Sequence, residues 1–169
     1  ALLVGVTTLF MLATHGAIYL SMKTEGEHLV RIKRWIPRLM IIFFVLNTGV
    51  VAATVFTHDL IAERYLAQPL WVIFPALALA SVILAGWMVN RAHYFIAFLL
   101  SSAMIAGLLF SAAIGLYPYL LVSTLDPAYS QTIFNAASEA NTLTVMLIIA
   151  VIGMPFVLLY TAGVYYIFR

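Results

Sequence analysis

Five long apolar runs alternate with short stretches that hold nearly all the charge. They cover about residues 1–22, 39–56, 70–89, 94–116 and 143–168. A helix rises 1.5 Å per residue, so ~20 apolar residues cross a ~30 Å hydrocarbon layer. The pattern predicts an all-α fold, a polytopic transmembrane helix bundle with about five spanning helices. Prolines punctuate it. Pro37 suits the first turn of the second helix, Pro75 lies near the start of the third, and Pro155 inside the fifth run predicts a kink. The uncharged stretch 117–141 holds Tyr117, Tyr119, Tyr129 and Phe134 among small polar residues. In it, Asp126 reads as an N-cap with Pro127 at the first helical position. That favours one short interfacial helix over about 127–137, or equally a segment packed under a partner subunit. No internal repeat or low-complexity linker divides the chain, so 1–169 reads as a single transmembrane domain.

Composition settles the solvent. Hydrophobic residues make up 65% of the chain and charged residues 8%, against about 25% charged in an average soluble domain. So few charges cannot cover a water-facing surface. The net charge of +2 does not point to nucleic acid, because the basic residues gather at helix ends. The first connection holds Lys23, Arg31, Lys33, Arg34 and Arg38, the turn 90–93 holds Arg91, and Arg169 follows the last span. The connection 57–68 holds only Arg64, and 117–141 holds none. By the positive-inside rule, loop 23–38 and the C-terminus are expected to be cytoplasmic and loop 117–141 outside. Residues 23–38 fit a helix extension in the headgroup region, its cations on anionic lipid and Trp35 at the interface, or a solvated basic loop. Tyr160, Tyr165, Tyr166 and Phe168 form an aromatic belt before Arg169. The chain starts at Ala1, and no basic segment precedes its first apolar run; it reads as part of a longer subunit rather than as a signal peptide.

The candidate chemistry is sparse. There is no cysteine, which excludes disulfides, Cys-ligated iron–sulfur clusters, thiolate-ligated haem and zinc fingers. The acidic residues Glu25, Glu27, Asp59, Glu63, Asp126 and Glu139 all fall in connections or at span ends. A self-sufficient ion-coupled transporter needs an ionisable group deep in a span. His15 is the one histidine well inside a run, with His28, His58 and His93 in or beside connections. The functional readings of His15 are an axial haem ligand or a proton-relay station. A bis-histidine haem needs a partner at matching depth, so a neutral histidine hydrogen-bonded across the bundle is the favoured reading. Asn47, Thr48, Ser81, Ser101, Ser102 and Ser111, with Gly49, Gly86, Gly107, Gly115 and Gly153, point to close helix contacts joined by interhelical hydrogen bonds, with a hydrophilic proton or quinol path along the serines as the alternative. Trp71, Pro75 and Trp87 shape and anchor the third span. No residue is assigned a catalytic, cofactor-binding or metal-binding role.

Specific stretches carry a family resemblance. LYPYLL, STLDPAYSQTIFNAAS and TLTVMLIIAVIGMPFVLLYTAGVYYIFR resemble the C-terminal part of subunit II of cytochrome bd-type ubiquinol oxidases. LLVGVTTLFMLATHGAIYLSMKTEGE and FLLSSAMIAGLLFSAAIGLYP are also similar to that family, and 56–68 matches least. The resemblance implies roughly the last five spans of a subunit that pairs with a haem-bearing subunit I, often with a single-span small subunit. The complex would oxidise quinol and reduce dioxygen in a prokaryotic cytoplasmic membrane. The haem b and haem d groups would sit in subunit I. This chain would be a non-catalytic scaffold in contact with lipid or a structural quinone. A small oligomeric transporter or channel is the alternative, and it requires a continuous polar face at spanning depth.

Overall fold

A computed structural model describes residues 2–57, 59–123 and 125–167. Ala1, His58, Thr124, Phe168 and Arg169 lie outside the described residues, and with Phe168 the last aromatic of the expected C-terminal belt. The chain forms two compact units, Ala1–Tyr117 and Pro118–Arg169.

The first unit contains α1 (Leu2–Lys23), α2 (Gly26–Thr57), α3 (Asp59–Ala67), a 3-10 turn (Pro69–Val72), α4 (Ile73–Asn90) and α5 (Tyr94–Leu116). Four of these helices enclose a core in layers. One layer holds Ile18, Ile36, Ala85, Val89 and Ala97, and the next holds Met11, Phe43, Val82 and Met104. Each layer takes residues from α1, α2, α4 and α5, the arrangement of a four-helix bundle. The buried residues of α1, Thr7, Met11, Thr14, Ile18 and Ser21, repeat at alternating spacings of four and three. That is the seam of helices packed at a shallow left-handed angle. Lipid tails are as apolar as leucine, so the seam is driven by close packing rather than by escape from water.

Local chemistry ends each helix. α1 and α2 are separated by two residues, with Gly26 at φ +62° opening α2. At the end of α4, the His93 N–H donates to the Met88 carbonyl (2.9 Å) and the Ala92 N–H to the Val89 carbonyl (3.1 Å). This is a Schellman cap, with Ala92 at φ 59° in the left-handed position that glycine usually takes. α5 stops at Tyr117, whose φ −53° and ψ 136° are the extended geometry imposed by the following Pro118.

Two expectations are corrected here. Pro37 lies inside α2 rather than in its first turn, because α2 is one 32-residue helix that continues back through the basic segment. The helix-extension reading of 26–38 therefore holds over the loop reading. The connection 57–68 is mostly helical, as α3; its polar residues hide an element that packs on α5.

The second unit contains a short antiparallel pair, β1 (Tyr119–Leu121) with β2 (Gln131–Thr132), and then α6 (Ala140–Ile167). The expected interfacial helix over 127–137 does not form. Asp126 does cap as expected, its Oδ1 accepting from the Ala128 N–H at 2.8 Å, but the helix closes after one 3-10 turn (Pro127–Tyr129). Ser123, Ser130, Thr132 and Asn135 then offer the backbone side-chain partners that compete with helix propagation. α6 runs through Pro155 without interruption, and Tyr160, Tyr165 and Tyr166 stand exposed on it.

Candidate functional sites in the helix bundle

Among the described residues, a polar crossing between α1 and α5 is centred on His15. Its Nδ1 lies 2.8 Å from Ser101 Oγ, and its ring stacks on Phe98 with centroids 4.8 Å apart. Ser101 Oγ also donates to the Phe98 carbonyl at 2.8 Å. A carbonyl only accepts, so the single serine proton is committed there and His15 Nδ1–H must donate to Ser101. Neutral His15 then carries its free lone pair on Nε2. This is the cross-bundle bond expected from the sequence, and it fixes which partner is used.

Around His15 one ring nitrogen is engaged by Ser101 and Phe98 stacks on the ring, and no group of three or more His, Cys, Asp or Glu residues converges among the described residues. We derive no step through a haem in this chain.

A second polar contact ties α3 to α5. The Tyr65 hydroxyl donates to the Ser111 carbonyl (2.8 Å) and lies 2.7 Å from Ser111 Oγ. Nearby, the side chain of Ile61 would meet a Cβ added at Gly115 at 3.3 Å, so glycine permits this approach. Beside the contact, a cleft of about 260 Å³ opens between α2, α4 and α5, with Asn47, Thr48 and Ser111 on otherwise apolar walls. Thr48 satisfies itself on the Phe44 carbonyl (2.8 Å), and Ser102 on the Phe98 carbonyl (3.0 Å). Of the hydroxyls expected to bridge helices, Ser101 and Ser111 do so. Tyr65 was missed by sequence reading because it sits in a segment taken for a loop.

Gly107 shows why α4 and α5 approach so closely. A Cβ there would fall 3.0 Å from the Phe74 carbonyl oxygen and 3.2 Å from Ala78 Cβ. Gly86 leaves room for the Met40 side chain in the same way, at 3.1 Å. Gly153, by contrast, has nothing within 4 Å.

The basic residues of the first connection and of the turn 90–93 collect at one end of the first unit. Lys33 Nζ lies 5.0 Å from the Tyr94 ring centroid, joining the start of α2 to the start of α5. Arg38 stacks over Trp35 at 5.3 Å, and Arg91 over Trp87 at 4.3 Å. The first connection and the turn 90–93 therefore share an end of the bundle, as alternate connections of a membrane bundle must. The aromatic rings hold these cations near the apolar boundary. Trp71 stands in the 3-10 turn that leads into α4, its Nε1–H donating to Gln68 Oε1.

The comparisons with known proteins agree with this architecture. The family described as cytochrome bd terminal oxidase subunit II matches residues 1–168. The chain is 32% identical to a Haemophilus influenzae protein named "Probable cytochrome oxidase subunit 2", covering 98% of this chain and 50% of that protein. It is 29% identical to the Bacillus subtilis cytochrome bd ubiquinol oxidase subunit 2, covering 100% of this chain and 49% of the relative. It is 28% identical to the Escherichia coli K12 cytochrome bd-I ubiquinol oxidase subunit 2, covering 98% and 50%. The chain spans about half the length of the curated relatives it matches. A helical chain with five helices long and apolar enough to cross a membrane, matched over residues 1–168, belongs to the cytochrome bd terminal oxidase subunit II family.

Proposed function

We propose that this chain is the scaffold part of subunit II in a quinol-oxidising, dioxygen-reducing complex, and that it carries no catalytic residue itself. The family match along 168 residues is the observation that carries this reading. Its mechanism is structural. A rigid layered bundle supports a haem-bearing subunit I, keeps water from it and holds its geometry, while haem b and haem d stay in that partner. The polar groups of the bundle support this division of labour, since His15, Ser101, Tyr65 and Ser111 are spent on joining helices. A single-span small subunit and membrane lipids complete the assembly. The site is the prokaryotic cytoplasmic membrane. The shared basic end of α2 and the turn 90–93 supports a cytoplasmic position for that end, with loop 117–141 outside.

Gentle purification through a tag on this chain, followed by a reduced-minus-oxidised spectrum, tests the reading. Haem b and haem d bands travelling with a larger partner are expected. A colourless homo-oligomer would overturn it and favour the transporter. Orientation is tested separately at Lys33→Cys, where labelling of intact cells from outside would reverse the assignment.

A further inference from the structure

The segment that replaces the expected interfacial helix has an unusual economy. Its short polar side chains turn inward onto its own backbone. The Ser123 N–H donates to Ser130 Oγ (3.1 Å), and the N–H groups of Leu125 and Asp126 donate to Ser123 Oγ (3.2 and 3.3 Å). Thr132 N–H donates to Asn135 Oδ1 (2.6 Å), while Thr132 Oγ1 accepts from Phe134 and Asn135 (3.3 and 3.2 Å). Asn135 Nδ2 closes the ring on the Ser130 carbonyl at 3.0 Å. Ser130, at the centre, is buried.

The large apolar side chains face outward. Leu125 is 91% exposed, Tyr129 74%, Phe134 72% and Leu121 65%. Soluble loops show the opposite arrangement, with polar groups outside and backbone bonded to water. A loop can leave water only if it carries its hydrogen bonds with it, because each unpaired backbone group in hydrocarbon costs several kcal/mol. Charge tells the same story. From residue 118 to residue 139 the only charged side chains are Asp126 and Glu139.

Depth follows from connectivity. α6 begins at Ala140, and the first residue of a spanning helix lies at a membrane boundary. Residue 137 is within about 11 Å of it along an extended chain. The exposed apolar surface of the segment is thus continuous in sequence with the lipid-crossing surface of α6, none of which is buried within this chain.

We propose that residues 118–137 form a membrane-interfacial wedge. Its apolar edge seats in the headgroup–acyl boundary of neutral lipid, with Tyr129 and Phe134 as the anchors. The lack of basic residues makes this contact independent of anionic lipid and of salt.

None of the 169 residues is a cysteine, so in a complex whose remaining accessible cysteines are replaced the introduced labels report the segment alone. Nitroxide labels would be placed at Leu125→Cys and Phe134→Cys in the membrane-embedded complex. Collision rates with dissolved oxygen and with a water-soluble nickel chelate would then be compared. The expected result is a depth parameter of lipid-exposed sign, the same in phosphatidylcholine bilayers with and without anionic lipid. Asn135→Ala, which frees the Thr132 N–H and the Ser130 carbonyl, should shift the Phe134 label toward the nickel-accessible sign. Dominant nickel collisions at both labels would show a loop in water and overturn the proposal. Immobilised spectra with low rates for both reagents would show a partner protein over the loop and overturn it equally. If Leu125→Cys fails to assemble, Tyr129→Cys gives the same readout.

Discussion

α1 and α6 are both long enough to cross a membrane, yet they are made for different neighbours. α1 carries a seam of Thr7, Met11, Thr14, Ile18 and Ser21 that buries against its bundle. The threonines and Ser21 satisfy their hydroxyls on carbonyls three or four residues back, which makes them small and locally neutral packing surfaces. α6 has no such stripe and no buried residue, and its one bonded hydroxyl, Thr144, is exposed. The difference shows how a membrane helix declares its surroundings. Helices that meet one another alternate small and large residues along a seam, because contact area comes only from close approach. A helix that meets only hydrocarbon inside this span needs only to be apolar.

That contrast can be broken most forcefully at two glycines. Gly107→Leu should destabilise the complex by about 3 kcal/mol, since the new side chain meets the Phe74 carbonyl and Ala78 at once. Thermal inactivation of the purified complex reads this, and an unchanged midpoint would remove the case for a close α4–α5 contact. Ala92→Gly should act in the other direction. It relieves the left-handed strain at the end of α4, worth about 1 kcal/mol, and a loss of stability would mean that the Ala92 methyl packs usefully. For the polar crossing, a double-mutant cycle of His15→Ala with Ser101→Ala should give a coupling of about 0.6 kcal/mol, the average for hydrogen bonds between membrane helices. Additive losses would show that the bond contributes nothing. The smallest effect belongs to α6. Gly153→Leu should change stability by less than about 0.5 kcal/mol. A large loss there, with assembly impaired, would sharpen the comparison by marking that face of α6 as an interface with another subunit.

Much of the architecture was legible because hydrophobic length is a coarse and robust signal. The fourth span was expected over 94–116 and forms over Tyr94–Leu116. The first, third and fifth are displaced by a few residues at their ends. The second was misjudged at its start, because Pro37 is a strong breaker in water but tolerable in a bundle where only one backbone donor is lost. α3 and the 118–137 segment were misread for a common reason. Both are short and rich in polar side chains, and their conformations rest on contacts with specific neighbours: Tyr65 with Ser111, and Ser130 with Ser123 and Asn135. The seam on α1 was present in the sequence as a four–three repeat of Thr, Met, Ile and Ser, hidden by the uniform hydropathy of the run.

The sequence by itself determined that the chain is a lipid-embedded helical protein, where its spans lie, and where its charge gathers. These are one-dimensional properties, set by the cost of placing charge and open backbone in hydrocarbon. The tertiary structure decided that His15 meets Ser101, that Gly107 receives the Phe74 carbonyl, and that Lys33 reaches Tyr94. Those pairings depend on which faces of four nearly uniform apolar helices turn toward one another. Hydropathy is nearly blind to that choice; packing of small and large side chains makes it.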